Sequence, residues 1–170
     1  MMARRRPRLA PVARRQRVWT DIEIADAGFA EDALRSEDLL ASYVTAGGST
    51  QGVTVVRTLI WYTWLINETH TPADLITLGL IKGTRTAADV ADPDLEPFAD
   101  WAFHHTQYSG LEHGLVAADS PEGSFLDVKS ARKISEVGET WWLIYKGSAP
   151  TTTTATYDFR ARVRCLLLLP

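Results

Sequence analysis

Tyr157-Asp158-Phe159-Arg160-Ala161-Arg162-Val163-Arg164-Cys165 alternates without a break. Tyr157, Phe159, Ala161, Val163 and Cys165 fall on one side, and Asp158, Arg160, Arg162 and Arg164 on the other. A period of two is the signature of a half-buried β-strand, because successive side chains leave opposite faces of a pleated backbone. The strand is predicted to run over Tyr157 to Leu169, and the last residues, Leu166 to Pro170, are apolar on both faces.

Working back along the chain, Val18 to Ala25 repeats the pattern, with Val18, Thr20, Ile22 and Ile24 opposed to Trp19, Asp21 and Glu23. Gly52 to Ile66 holds the densest β-branched and aromatic run and is apolar on both sides, which predicts a strand covered on both faces. Leu75 to Ile81, Phe125 to Val128 and Thr140 to Lys146 read as further strands, the last two joined by a basic turn from Lys129 to Lys133. Two places favour helix. Ala30 to Val44 has Ser36 as a cap and Leu39, Leu40 and Tyr43 on one side. Leu95, Phe98, Trp101 and Ala102 have helical spacing after Asp92 and Pro93, although Trp101 to His104 reads equally well as a short strand. Six to eight strands, unequal connections and no alternation of strand with helix predict an all-β, antiparallel two-sheet sandwich. A jelly roll with one or two short helices in its loops and an extended N-terminal arm is the commonest form with long connections.

The charge is divided along the chain. Arg4, Arg5, Arg6, Arg8, Arg14, Arg15 and Arg17 stand in the first seventeen residues with no acid among them. The remainder therefore holds 11 of the 18 basic residues and all 21 acids, a balance of −10. An arginine cluster of this kind repels itself unless a polyanion is near. Guanidinium groups bind phosphate in a bidentate way and release its condensed counterions. Pro7 and Pro11 oppose a continuous helix, so the leader is expected to be extended or disordered when free. Organelle targeting peptides are also arginine-rich and acid-poor, but two prolines and the lack of serine argue against one. The domain division expected is an arm over 1–17 and a shell domain over 18–170.

The arm, the strand Val18 to Ala25, the long apolar strand Val53 to Ile66, the segment Asp127 to Lys133 before Thr140 to Tyr145, and the closing strand Tyr157 to Leu169 come in an order that resembles the single jelly-roll capsid proteins of small non-enveloped icosahedral viruses. These include circular single-stranded DNA viruses, satellite viruses and small RNA viruses. The resemblance spans nearly the whole chain and rests on architecture. It implies self-assembly of many copies into a closed shell within the host cell, with the arm on the genome inside the virion. The arm has no base-reading geometry, so binding is expected to be independent of sequence, and phosphate contacts are common to a DNA and an RNA genome. Both the chain and its arm are short for the group, and the arm lacks lysine.

Sixty copies, the smallest closed icosahedral set, would bring about 420 arm charges against on the order of 1,000–2,000 phosphates of a small genome. The stripe Arg160, Arg162 and Arg164 is the candidate for part of the difference, unless its members pair with acids across the sheet. The basic segment Lys129, Arg132 and Lys133 is either a second such patch or a solvated loop. Trp141 and Trp142 adjoin on a strand and so face opposite ways. Trp142 is the candidate for a contact between copies, as are Leu166 and Leu168 at an unusually apolar chain end. Burial of that end within the sandwich is the alternative.

Nothing in the sequence suggests an enzyme: it has no phosphate loop, no dinucleotide fingerprint and no nucleophile motif. His70, His104, His105 and His113 lack metal-ligand spacing, Cys165 is the single cysteine, and no metal or cofactor is expected. No apolar run approaches the ~20 residues that span a bilayer, and no membrane partner is expected. Two other readings fit less of the chain. One is a carbohydrate- or receptor-binding β-sandwich of a virion, and the other is a nucleic-acid-binding protein that does not assemble.

Overall fold

The computed structural model describes residues 15–30, 33–66, 75–83, 101–108, 122–148 and 156–170. In chain order the elements are β1 (Arg17–Ala30), β2 (Arg35–Asp38), α1 (Ala41–Thr45), β3 (Thr54–Ile66), β4 (Leu75–Gly83), β5 (Trp101–Tyr108), β6 (Glu122–Lys133), β7 (Thr140–Ser148) and β8 (Thr156–Leu168). Arg4, Arg5, Arg6, Arg8 and Arg14 lie outside the described residues, as do the helix start at Asp92 and Pro93, His70 and His113.

The pairing is that of a jelly roll. The chain behaves as one long antiparallel ribbon in which β1 pairs with β8, β2 with β7, β3 with β6 and β4 with β5. Rolling that ribbon brings β3 against β8 and β4 against β7. Two four-stranded sheets result, ordered β1-β8-β3-β6 and β2-β7-β4-β5. The predicted sandwich is therefore observed.

Between the sheets lies one core. Along β8 the burial alternates as the sequence pattern requires: Tyr157, Phe159, Ala161, Val163, Cys165 and Leu167 are buried. Phe159 is central, with its ring centroid 4.2 Å from Tyr145 and 4.5 Å from Trp64. Trp141 is fully buried, and its indole N–H donates to Thr58 Oγ1 at 3.0 Å. Burial pushes the Cys165 thiol up to about 12, so it stays protonated and inert.

Bulges adjust the register where the alternation breaks. Between Asp26 and Phe29 the β1–β8 pairing slips at Gly28, whose φ of 67° suits a residue without Cβ. The Gly28 N–H donates to Asp158 Oδ1 at 2.7 Å. A second slip lies between Val55 and Arg57, opposite Ala131 with φ 49°. It reverses the parity of β3: Val53 and Val55 point inward before it, and Thr58, Ile60, Tyr62 and Trp64 after it. That reversal accounts for Val53 and Val55, while Leu59 and Trp61 make the outer face itself partly apolar. The expectation that both faces are covered does not hold, since Trp61 on the outer face is 40% exposed.

Two local expectations are corrected and one open alternative is settled. Ser36 caps no helix. It lies in β2, because residues 35–38 find sheet partners in Tyr145 to Trp142 of β7 and so satisfy their backbone groups there. Only one helical turn follows, with Leu40 as its cap, and Asp38 Oδ1 accepts the Leu40 N–H at 2.9 Å. Trp101 to His104 belongs to strand β5. Lys129 to Lys133 is not a turn but the end of β6, and the chain reverses over residues 134–139 instead.

Glu139 holds that reversal. Its Oε2 accepts the N–H groups of Ser135 at 2.8 Å and Glu136 at 3.0 Å, and Lys82 Nζ lies 3.2 Å from Oε1. Burial alone would raise this carboxyl, but the two backbone donors and Lys82 together hold it below the usual carboxylate range. Its contribution to stability is thus complete above about pH 4.5 and is lost as the pH falls through the lower folded-state value. Glu139→Gln is expected to cost about 1–3 kcal/mol, read from urea unfolding at neutral pH, and to flatten the acid limb of stability against pH.

Candidate nucleic-acid interface

With the core residues of β8 turned inward, Arg160, Arg162 and Arg164 must project from the outer face of the β1-β8-β3-β6 sheet. The register assembles that face in rows. Arg17, Leu168, Thr54 and Lys133 lie across one end; next come Trp19, Leu166, Arg57 and Lys129; then Asp21, Arg164, Leu59 and Asp127; then Glu23, Arg162, Trp61 and Phe125; and last Ala25, Arg160 and Thr63. Seven cations therefore share the face with three acids, on a body whose overall balance is acidic.

The arginine stripe is divided in its pairing. Arg164 Nε lies 2.8 Å from Asp21 Oδ1, and Arg162 Nε lies 3.7 Å from the same oxygen. The Arg164 N–H is not directed at that oxygen, so the attraction is Coulombic without a hydrogen bond. The Arg164 guanidinium also sits 5.1 Å from the ring centre of Trp19, which is 40% exposed. Arg160 is exposed and makes no ion pair among the described residues. One carboxylate thus serves two arginines and leaves the third to solvent. Arg57 is taken up by Asp127 through two hydrogen bonds of 2.7 and 2.6 Å. The Arg57 hydrogen bond holds the Asp127 carboxyl below its ordinary range.

Aromatic side chains stand among these charges. Trp61 and Phe125 face each other across β3 and β6 with centroids 5.1 Å apart and planes at 33°, and Phe125 is 48% exposed. Beside Trp61 a groove of about 640 Å³ runs toward β1, lined among others by Glu23, Ala25, Thr63, Arg160 and Arg162. The sequence alone does not reveal this grouping, because Trp61 and Phe125 meet only through the β3–β6 register.

Of the other sequence candidates, Arg17 opens β1 and Arg15 precedes it, both exposed. Leu166 and Leu168 are half-buried on the same outer face, while Leu167 between them is buried in the core. The end of the chain is fixed: the Leu169 N–H donates to Gln16 O at 2.9 Å. Trp142 is half-buried on the opposite sheet's outer face, packed with Leu34, Ile81 and Ile144, and its indole donates to Gly83 O at 2.8 Å. Among the described residues, no group of three His, Cys, Asp or Glu side chains could hold a metal ion. No helix there is long and apolar enough to cross a membrane.

No protein-family model and no curated protein matches the sequence. Among solved structures, one titled Desmodium yellow mottle tymovirus aligns with 100% of this chain and 93% of its own, at 16% identity and a TM-score of 0.32. Another, titled turnip yellow mosaic virus, aligns with 97% of this chain and 87% of its own, at 13% identity and a TM-score of 0.42. Both scores fall below one half, too low for either likeness to say what this chain does.

Proposed function

We propose that this chain is a coat protein that assembles in many copies into a small icosahedral shell and packages a nucleic-acid genome. The observation that carries the reading is the placement of charge. The arginine leader joins the folded body at Arg17, at one end of the sheet face that gathers seven cations, while the body as a whole is acidic. A leader that enters beside a face holding more cations than acids adds to its positive charge, which suits a polyphosphate, and the opposite sheet and the margins are left for contacts between copies.

In this reading Arg4, Arg5, Arg6, Arg8, Arg14, Arg15 and Arg17 bind phosphate without reading sequence, and Arg160, Arg162 and Arg164 extend that surface over the sheet. Trp142 on the opposite sheet supplies apolar surface for neighbouring copies, and Leu166 and Leu168, at the end of the cationic face where the arm enters, supply it at that face's margin. The shell forms within the host cell and needs neither cofactor nor membrane. Electron microscopy of the purified protein is expected to show closed isometric particles. A population of monomers alone, at every salt and pH, overturns the proposal.

A further inference from the structure

We infer that the Trp61–Phe125 pair, together with Arg160 and Arg162, is a stacking site for unpaired nucleobases, so that this sheet face takes single-stranded nucleic acid in preference to duplex. The inference rests on the genome-binding reading of the same face and adds the strandedness of its partner.

A lone exposed aromatic needs no explanation. Two that pack on each other at 5.1 Å with planes 33° apart, both 40% or more exposed and flanked by arginine, form an exposed aromatic platform inside a cationic field. Every nucleobase has a π-face that can settle on such a platform, whatever its sequence. In a duplex those faces are already stacked on neighbouring pairs and are closed to a side chain.

The surroundings of the platform fit one nucleotide. The groove beside Trp61 has a volume of about 640 Å³, ample for a base and its sugar, and its walls at Ala25 and Thr63 are small. Arg160 stands at one side with no ion pair among the described residues, and Arg162 is only loosely held by Asp21 at 3.7 Å. Both are available to a phosphate. Glu23 lies on the β1 side of the groove. Its carboxylate repels phosphate and accepts hydrogen bonds from base N–H groups, so the backbone is steered toward Arg160 and the base toward Trp61. The arm, in contrast, contacts phosphates alone and does not discriminate single from double strands.

The test uses full-length protein mixed, before assembly, with an oligouridylate or with an RNA duplex of equal length, followed by ultraviolet crosslinking and peptide mapping. Crosslinks are expected at Trp61 and Phe125 with the single strand and not with the duplex. The double variant Trp61→Ala with Phe125→Ala is expected to lose about tenfold or more in single-strand affinity and to keep its duplex affinity. Trp61→Phe is expected to retain most of the affinity, which separates stacking from a folding defect. Equal losses for both nucleic acids, or crosslinks that avoid the pair, overturn the site. Particles that still form with such a result leave the coat reading standing. Crosslinks at the pair on a protein that never assembles support the site and count against the coat.

Discussion

Deleting residues 1–14 is expected to leave the shell domain folded and its particles nearly free of nucleic acid. The deletion removes Arg4, Arg5, Arg6, Arg8 and Arg14 but spares the first tertiary contacts among the described residues, which are the Gln16 carbonyl under the Leu169 N–H and the pairing of Arg17 with Leu168. Each lost phosphate contact on a single strand lowers the slope of log affinity against log salt by about 0.7, so five contacts lower it by about 3.5. At physiological salt a change of that size separates packaging from its absence. The ratio of absorbance at 260 and 280 nm should fall close to that of protein alone. Particles that keep full-length genomes would show that the arm is dispensable and that the sheet face carries the binding.

The second large effect belongs to the core. Phe159→Ala is expected to cost about 3–5 kcal/mol, because a fully buried ring leaves a cavity between Tyr145, Trp64 and Tyr62 that the two sheets cannot close. A domain of this kind has only about 5–15 kcal/mol in total, so the variant should unfold at much lower urea or collect as insoluble protein. Phe125→Ala provides the contrast. Its ring is 48% exposed on the outer face, and removal should change stability by no more than about 0.5 kcal/mol. Similar losses for the two would mean that the outer face is covered in the folded protein and is not a nucleic-acid surface.

Much of this architecture can be read directly from the residues, and the exceptions have physical causes. The strands β1 and β8 declare themselves because one face of each is buried and the other wet, so composition alternates with the pleat. In β3 the alternation is hidden by the bulge near Val55, which exists only because β6 and β8 pair with it out of step. The four residues of β2 are Arg, Ser, Glu and Asp, poor strand formers that are extended only because β7 offers partners. The arginine stripe was legible as a pattern, but its pairing was not. That Asp21 would serve Arg162 and Arg164 and leave Arg160 open depends on a register between segments about 140 residues apart in the chain. Lys129 and Lys133, read as a turn or loop, lie on the same cationic face because β6 continues through them.

Sedimentation velocity of the purified full-length protein, recorded together at 260 and 280 nm, measures assembly and cargo in one experiment. A boundary in the megadalton range that absorbs strongly at 260 nm is expected, breaking down in high salt as phosphate contacts are screened. A single 18.9 kDa species without nucleotide under all conditions would contradict it.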